Sequence, residues 1–210
     1  MFVPTIYIEN SNNNMCVEVS DKKLHHLNQV LRLRDGDKVN IYDVKGLISY
    51  GNFINNYVEI KNSRMYQRQN SLKIFVPYLR EKSRFRFLIE KLTELNVNEI
   101  HIGMTKNTQN TNYSKPKIKE WLVSALEQSG SAYLPELFFP ENINFNDFST
   151  CFDISGETFE KNVKKLNNFA IGPEGGWTDE ELSKFQHKIK ISEFSLRTET
   201  AAITAVSLMM

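Results

Sequence analysis

The order of apolar and polar positions changes character near residue 70. Before it, apolar residues fall in short alternating runs. Lys38-Val39-Asn40-Ile41-Tyr42-Asp43 alternates as a half-buried strand does, directly after the turn signal Arg34-Asp35-Gly36-Asp37. Further strand-like pieces lie near 47–54 and 57–62. A short helix starting at Ser20 or Asp21 carries Leu24, Leu27 and Leu31 on one side. The polar run 61–71, KNSRMYQRQNS, reads as a linker, so residues 1–70 are expected to form a small β-rich domain.

From residue 72 the pattern becomes strand–helix alternation. Leu72–Pro77 is a strand candidate, and residues 83–95 form a helix with Phe85, Leu88, Ile89 and Leu92 on one apolar face. Glu99–Met104 is a second strand. Ile118, Trp121, Leu122 and Ala125 repeat the helical spacing, with Gly130 placed to cap that helix. Phe169–Ile171 is a third strand, followed by a glycine loop and a helix from 179. Such alternation implies an α/β domain over residues 71–210, with a mostly parallel sheet covered by helices. The segment Thr200–Met210 is apolar nearly all round and ends without a cap. It is expected to be buried on all sides, inside the domain or against another subunit. The Asn-rich stretches 11–14 and 142–146 read as loops.

Composition adds exclusions. With 40% hydrophobic and 24% charged residues, the 210-residue chain has an ordinary globular make-up. No run approaches the roughly 18 apolar residues of a membrane span, and the first fifteen residues lack a basic leader and a continuous apolar stretch. Cys16 and Cys151 cannot build a disulfide framework, and no Cys/His cluster has zinc spacing. The expectation is a reduced, cytoplasmic protein with no metal and no membrane partner. The formal net charge of +1 hides an asymmetry: residues 71–120 hold ten Lys/Arg against five Asp/Glu, and residues 121–210 hold seven against thirteen. The middle block is a candidate surface for a polyanion. Lys82, Arg84 and Arg86 lie in or beside its first helix, while Arg32 and Arg34 end the N-terminal helix. These five are the candidate polyanion-facing cations, and the alternative for any such short charge run is a solvated helix face.

Two motifs carry chemistry. In Ile171-Gly172-Pro173-Glu174-Gly175-Gly176-Trp177-Thr178-Asp179-Glu180-Glu181-Leu182, Thr178 and Glu181 have capping-box spacing, and Trp177 and Leu182 occupy the staple positions. Three glycines before the helix let the backbone approach a ligand closely. The loop matches neither the dinucleotide nor the P-loop pattern, and the acidic first turn already complements the helix end that would hold a phosphate. An uncharged or cationic adenosine-containing ligand fits better, and S-adenosylmethionine meets that description. The second motif is Leu196-Arg197-Thr198-Glu199-Thr200-Ala201-Ala202. Thr198 or Thr200 can cap the final helix. Arg197 is either a buried ion pair with Glu174 or Glu199, or a fixed cation beside the reacting group.

The IGPEGG loop, the LRTETAA segment, EQSG at 127–130 and HHLNQVLRLRDGD at 25–37 stand in the order seen in the RsmE family, which the chain resembles over nearly its whole length. Those proteins are SPOUT-superfamily methyltransferases of 16S ribosomal RNA. The resemblance implies an N-terminal PUA-like β-barrel that binds RNA, a methyltransferase domain with a trefoil knot, and a homodimer acting on the small ribosomal subunit. It implies methylation of uridine N3 in the decoding region with S-adenosylmethionine as cofactor. The donor would be held by Ile171, Gly172, Pro173, Glu174, Gly175, Gly176, Ile191, Ser195, Leu196, Thr198 and Ala201. Arg197 would stabilise negative charge developing on the base. No general base stands out: His25, His26 and His101 are distant in sequence, and His187 is expected on a helix facing solvent. The chain departs from the family at Ser131, at Thr105-Lys106-Asn107-Thr108 and at Ile191–Ser195, where the usual glycine is missing. The connection from Pro140 to Phe169 also reads as short. Alternative readings are a SPOUT enzyme with another RNA target and a non-catalytic RNA-binding or ribosome-assembly factor.

Overall fold

A computed structural model of the chain describes residues 3–9, 15–44, 46–68, 71–109, 113–159 and 166–210. The loop expected at 11–14 lies outside them. The chain divides into two units, Met1–Arg68 with Val123–Leu134, and Gln69–Leu122 with Pro135–Met210.

The first unit holds β1 (Thr5–Ile8), β2 (Cys16–Glu18), α1 (Asp21–His25), β3 (Lys38–Asp43), β4 (Leu47–Ile54) and β5 (Tyr57–Met65). α1 runs straight into a π-helical turn, His26–Val30. The sheet order is β1-β3-β4-β5-β2, with β1 parallel to β3 and the other pairs antiparallel. Leu27 is buried with Ile6, Val39, Ile41, Phe53 and Val58, while Leu24 and Leu31 pack on the same cluster. The expected linker at 61–71 is corrected here, because β5 continues to Met65. Its residues are polar, but β4 opposite decides the pairing. Ser63 faces Ser49 with their hydroxyls 2.8 Å apart, and Arg64 stacks over the Tyr50 ring. A single boundary at 70 also misses a return of the chain. Leu126 and Ala132 are buried with Tyr7, Tyr42 and Ile48, and Glu127 accepts from the Tyr7 amide and from Lys23.

The second unit holds β6 (Lys73–Pro77), α2 (Lys82–Glu94), β7 (Glu99–Gly103), α3 (Lys115–Ser129, whose last turns belong to the first unit), β8 (Glu136–Phe138), β9 (Thr150–Thr158), β10 (Asn168–Ile171), α4 (Asp179–Leu182), β11 (His187–Lys190) and α5 (Thr198–Met209). The expected α/β architecture is present: six strands in the order β11-β9-β10-β6-β7-β8, every pair parallel. The helical spacing of Phe85, Leu88, Ile89 and Leu92 is matched by complete burial of all four, which fixes the rotation of α2. Gly130 ends α3 with φ +71°, a left-handed value that glycine accepts at low cost.

Two expectations fail here. The connection after Pro140 is not a bare loop, since β9 lies within it. His187 belongs to β11 rather than to a helix, although it does face solvent. In helix α5, Ala202, Ala205, Val206 and Met209 are buried within the chain and Leu208 is 44% exposed, so of the two expected covers the domain itself supplies only part.

β9 and β11 meet through a bulge. Lys188 pairs with Cys151, and the next residue, Ile189, pairs with Glu157. The close approach needs Gly156, where a Cβ would stand 2.5 Å from Ile189 N and from Lys188 C. Gly156→Ala should therefore lower the stability of the protein by about 1–3 kcal/mol, read as an earlier urea midpoint; an unchanged midpoint would contradict this contact.

Candidate functional site

The IGPEGG loop leaves β10 at Ile171. Gly172 lies under the Trp177 indole, and a Cβ there would stand 2.9 Å from Trp177 Nε1. The Gly176 amide donates to Pro173 O at 2.8 Å, closing a turn in which Gly176 takes φ +72°. The capping box is complete. Thr178 Oγ1 accepts from the Glu181 amide at 3.2 Å, and Glu181 Oε2 accepts from the Thr178 amide at 2.9 Å. Trp177, Leu182 and Phe185 pack in one apolar cluster, which anchors the staple end of the loop.

The second motif reaches this loop through two contacts. Thr198 donates its hydroxyl to Gly172 O at 3.0 Å. Arg84, projecting from α2, grips Glu199 with a fork of Nε to Oε1 at 2.9 Å and Nη2 to Oε2 at 2.6 Å, and its Nη1 donates to Glu174. The Arg84 and Glu199 side chains are only 19% and 10% exposed, so this bidentate, charge-assisted pair is shielded from water. Burial pushes the Glu199 carboxyl up, but the hydrogen bonds from Arg84 outweigh it and hold the group below its ordinary value.

Two expectations change accordingly. The ion pair considered for Arg197 belongs to Arg84, which is thereby withdrawn from the RNA-facing cations. Neither Thr198 nor Thr200 caps α5: Arg197 is the cap residue, without a side-chain cap bond, and the Thr198 hydroxyl is committed to Gly172. Arg197 itself is exposed and makes no ion pair among the described residues.

Between the motifs lies a cleft of about 180 Å³. Ile171, Gly172, Pro173, Glu174, Gly176, Ile191, Ser195, Leu196, Thr198 and Ala201 line it, whereas Gly175 and Arg197 do not. Sequence reasoning missed the opposite wall, where Phe152, Asp153 and Ile154 of β9 and Ile189 and Lys190 of β11 face the opening. It also missed Asn107, whose side-chain amide reaches the carbonyls of Gly175 and Gly176. Ser192, at the missing glycine, lines the cleft and accepts from the Phe194 amide at 3.0 Å, leaving the cleft open.

The cleft suits an adenosine-containing sulfonium ligand on its own geometry. A Cβ at Gly176 would meet nothing within 4 Å, which leaves the backbone accessible. The Trp177 indole N–H beside Gly172 is buried with no hydrogen-bond partner among the described residues. The lining mixes apolar side chains with exposed main chain, as small-molecule sites do. Cys151 behind the wall offers no thiolate, because burial pushes its thiol up to about 12.

Of the expected RNA-facing cations, Arg32 and Arg34 in the first unit and Lys82 in the second are exposed and make no ion pair among the described residues. Arg86 is exposed but paired with Glu90 at 2.6 Å. Among the described residues no group of three His, Cys, Asp or Glu is placed to hold a metal, and no helix is long and apolar enough to cross a membrane.

Residues 67–210 match the family model described as an RNA methyltransferase domain. The chain is 29% identical to the ribosomal RNA small subunit methyltransferase E of Buchnera aphidicola subsp. Schizaphis graminum, covering 98% of this chain and 94% of that protein. It is 26% identical to the ribosomal RNA small subunit methyltransferase E 2 of Borreliella burgdorferi, over 90% and 88% of the two chains. Its fold is that of the Neisseria gonorrhoeae ribosomal RNA small subunit methyltransferase E crystallised with S-adenosyl methionine, at TM-score 0.83 and 23% identity, covering 99% and 97%.

Removing Arg84 leaves Glu199 buried without its counter-charge. Arg84→Met should cost about 3 kcal/mol at pH 7, measured by chemical denaturation. Because the Glu199 carboxyl is depressed in the fold, the pair stabilises above the ordinary glutamate value and stops doing so as pH falls through the depressed one. The gap between wild type and variant should thus close in acid. A gap independent of pH would show that the pair is not its source.

Proposed function

We propose that this chain, which belongs to the RNA methyltransferase domain family, is an S-adenosylmethionine-dependent methyltransferase of 16S ribosomal RNA that acts on N3 of a uridine in the decoding region. The observation that carries the reading is the cleft itself: the two motifs that the RsmE family shares are joined by the Thr198–Gly172 hydrogen bond and the Arg84 fork, and line one opening. Supporting it, the relatives named above carry the small-subunit methyltransferase designation over nearly the whole chain. A PUA-like β-barrel for the first unit and a trefoil knot in the second complete the fold assignment.

When bound, S-adenosylmethionine supplies an electrophilic methyl group on a sulfonium. The cleft-lining residues Gly172, Pro173, Glu174, Gly176, Ile191, Ser192, Ser195, Leu196, Thr198 and Ala201 would hold it. Uridine N3 is a good nucleophile only once its proton has gone, and the base then carries negative charge. Arg197, exposed and adjacent in sequence to the lining residues Leu196 and Thr198, would stabilise that charge in a preorganised electrostatic role. Arg32, Arg34 and Lys82 meet RNA phosphates. A second copy of the chain covers the open face of α5 at Ile203, Ser207 and Leu208, forming a homodimer.

Small-subunit RNA incubated with the protein and the donor should gain a methyl on uridine N3, mapped by digestion and mass spectrometry. Methylation of another base or a ribose would overturn the target. Absence of any donor binding by calorimetry would favour the non-catalytic assembly factor. Arg197→Ala should lower kcat about 100- to 1000-fold with unchanged donor affinity; near wild-type turnover would remove Arg197 from the chemistry. Affinity for RNA should fall with salt by a log–log slope of about −0.7 to −0.9 per phosphate contact, and a salt-insensitive complex would count against Arg32, Arg34 and Lys82.

A further inference from the structure

The connection after β7 reaches the glycine loop from outside the cleft. Thr105 and Thr108 close a tight turn there: the Thr108 amide donates to Thr105 O at 3.1 Å, and Thr108 Oγ1 accepts from the Thr105 amide at 2.9 Å. The two residues between them both touch the donor loop. The Lys106 amide donates to Oε1 of Glu181, the capping-box carboxylate, at 2.9 Å. Asn107 Nδ2 donates to Gly175 O at 3.2 Å and to Gly176 O at 3.0 Å. A primary amide has two N–H bonds, so one side chain satisfies two successive carbonyls. The two residues also approach closely, since a Cβ on Gly175 would stand 3.1 Å from Asn107 Cβ.

We propose that Asn107 is a positioning residue for methyl transfer, pinning the Gly175–Gly176 carbonyls outward so that the inner side of the bend is fixed toward the donor. The proposal rests on the reading that the cleft takes S-adenosylmethionine. Two adjacent glycines are the least ordered stretch a chain can offer, and a ligand that must order them binds more weakly. Gly175 is the one residue of the bend that does not line the cleft, which is the face Asn107 holds. Asn107 is itself exposed, so its contribution is to the bend and not to a buried core.

The test uses the full-length protein with two variants. Asn107→Ala should weaken S-adenosylmethionine binding about tenfold by calorimetry and raise the KM for the donor, leaving the KM for RNA and the melting temperature near wild type. Asn107→Asp keeps the size but aims a carboxylate at two carbonyls, so it should bind the donor more weakly than the Ala variant. Faster hydrogen exchange at the Gly175–Trp177 amides should accompany both. Wild-type protein that binds no donor would sink this proposal together with the functional reading. Wild type that binds, with both variants binding equally well, overturns the Asn107 role alone. So does an Asp variant that binds as wild type does, because space filling would then explain the contact, or a fall in melting temperature that tracks the loss of affinity.

Discussion

The site depends on the Arg84 guanidinium being held among two carboxylates from different parts of the chain. α2 can rotate in only one way that buries Phe85, Leu88, Ile89 and Leu92, and that rotation sends Arg84 toward Glu174 on the glycine loop and Glu199 at the start of α5. A shielded guanidinium with its fork filled is rigid in a way that a solvated lysine is not. Core packing of one helix is thereby converted into the spacing between two motifs. Thr198 closes the same gap at the level of the backbone, through Gly172.

What was readable in the sequence is what is local. The capping box at Thr178 and Glu181 is written in four residues, and the buried face of α2 in eight. The two motifs gave one side of the lining, without Gly175, which turns away toward Asn107, and they gave none of the wall from β9 and β11. What was unreadable depends on partners distant along the chain. Arg84 lies 90 residues from Glu174 and 115 from Glu199, so nothing in its own neighbourhood distinguishes it from Lys82 or Arg86. β9 reads TCFDISGET, with a glycine and two acids that argue against a strand. It exists because β10 and β11 supply ladders on either side. The polar end of β5 exists for the same reason, through β4. The apolar girth of α5 predicted burial inside the domain or against another subunit, and within the chain α2 and the sheet cover one side.

Pairing Arg84 inward also sorts the cations by role. Arg84 is structural, Arg86 is tied to Glu90 along its own helix, and Arg197 stays exposed with its charge uncommitted to any ion pair among the described residues. The proposed stabilisation of charge on an RNA base would need such a cation, and one already sharing a buried carboxylate could not serve. The loss of the usual glycine at Ser192 has no closing effect, because the serine side chain caps the Phe194 amide and leaves the opening intact.

The account's central claim is that the Arg84 fork creates the donor site by setting the distance between the two motifs. The most direct measurement is calorimetric titration of S-adenosylmethionine into wild-type protein and into Arg84→Met at a temperature where both are folded by circular dichroism. The account predicts that the wild type binds and that the variant loses at least tenfold in affinity. Equal affinity in the two proteins would contradict it.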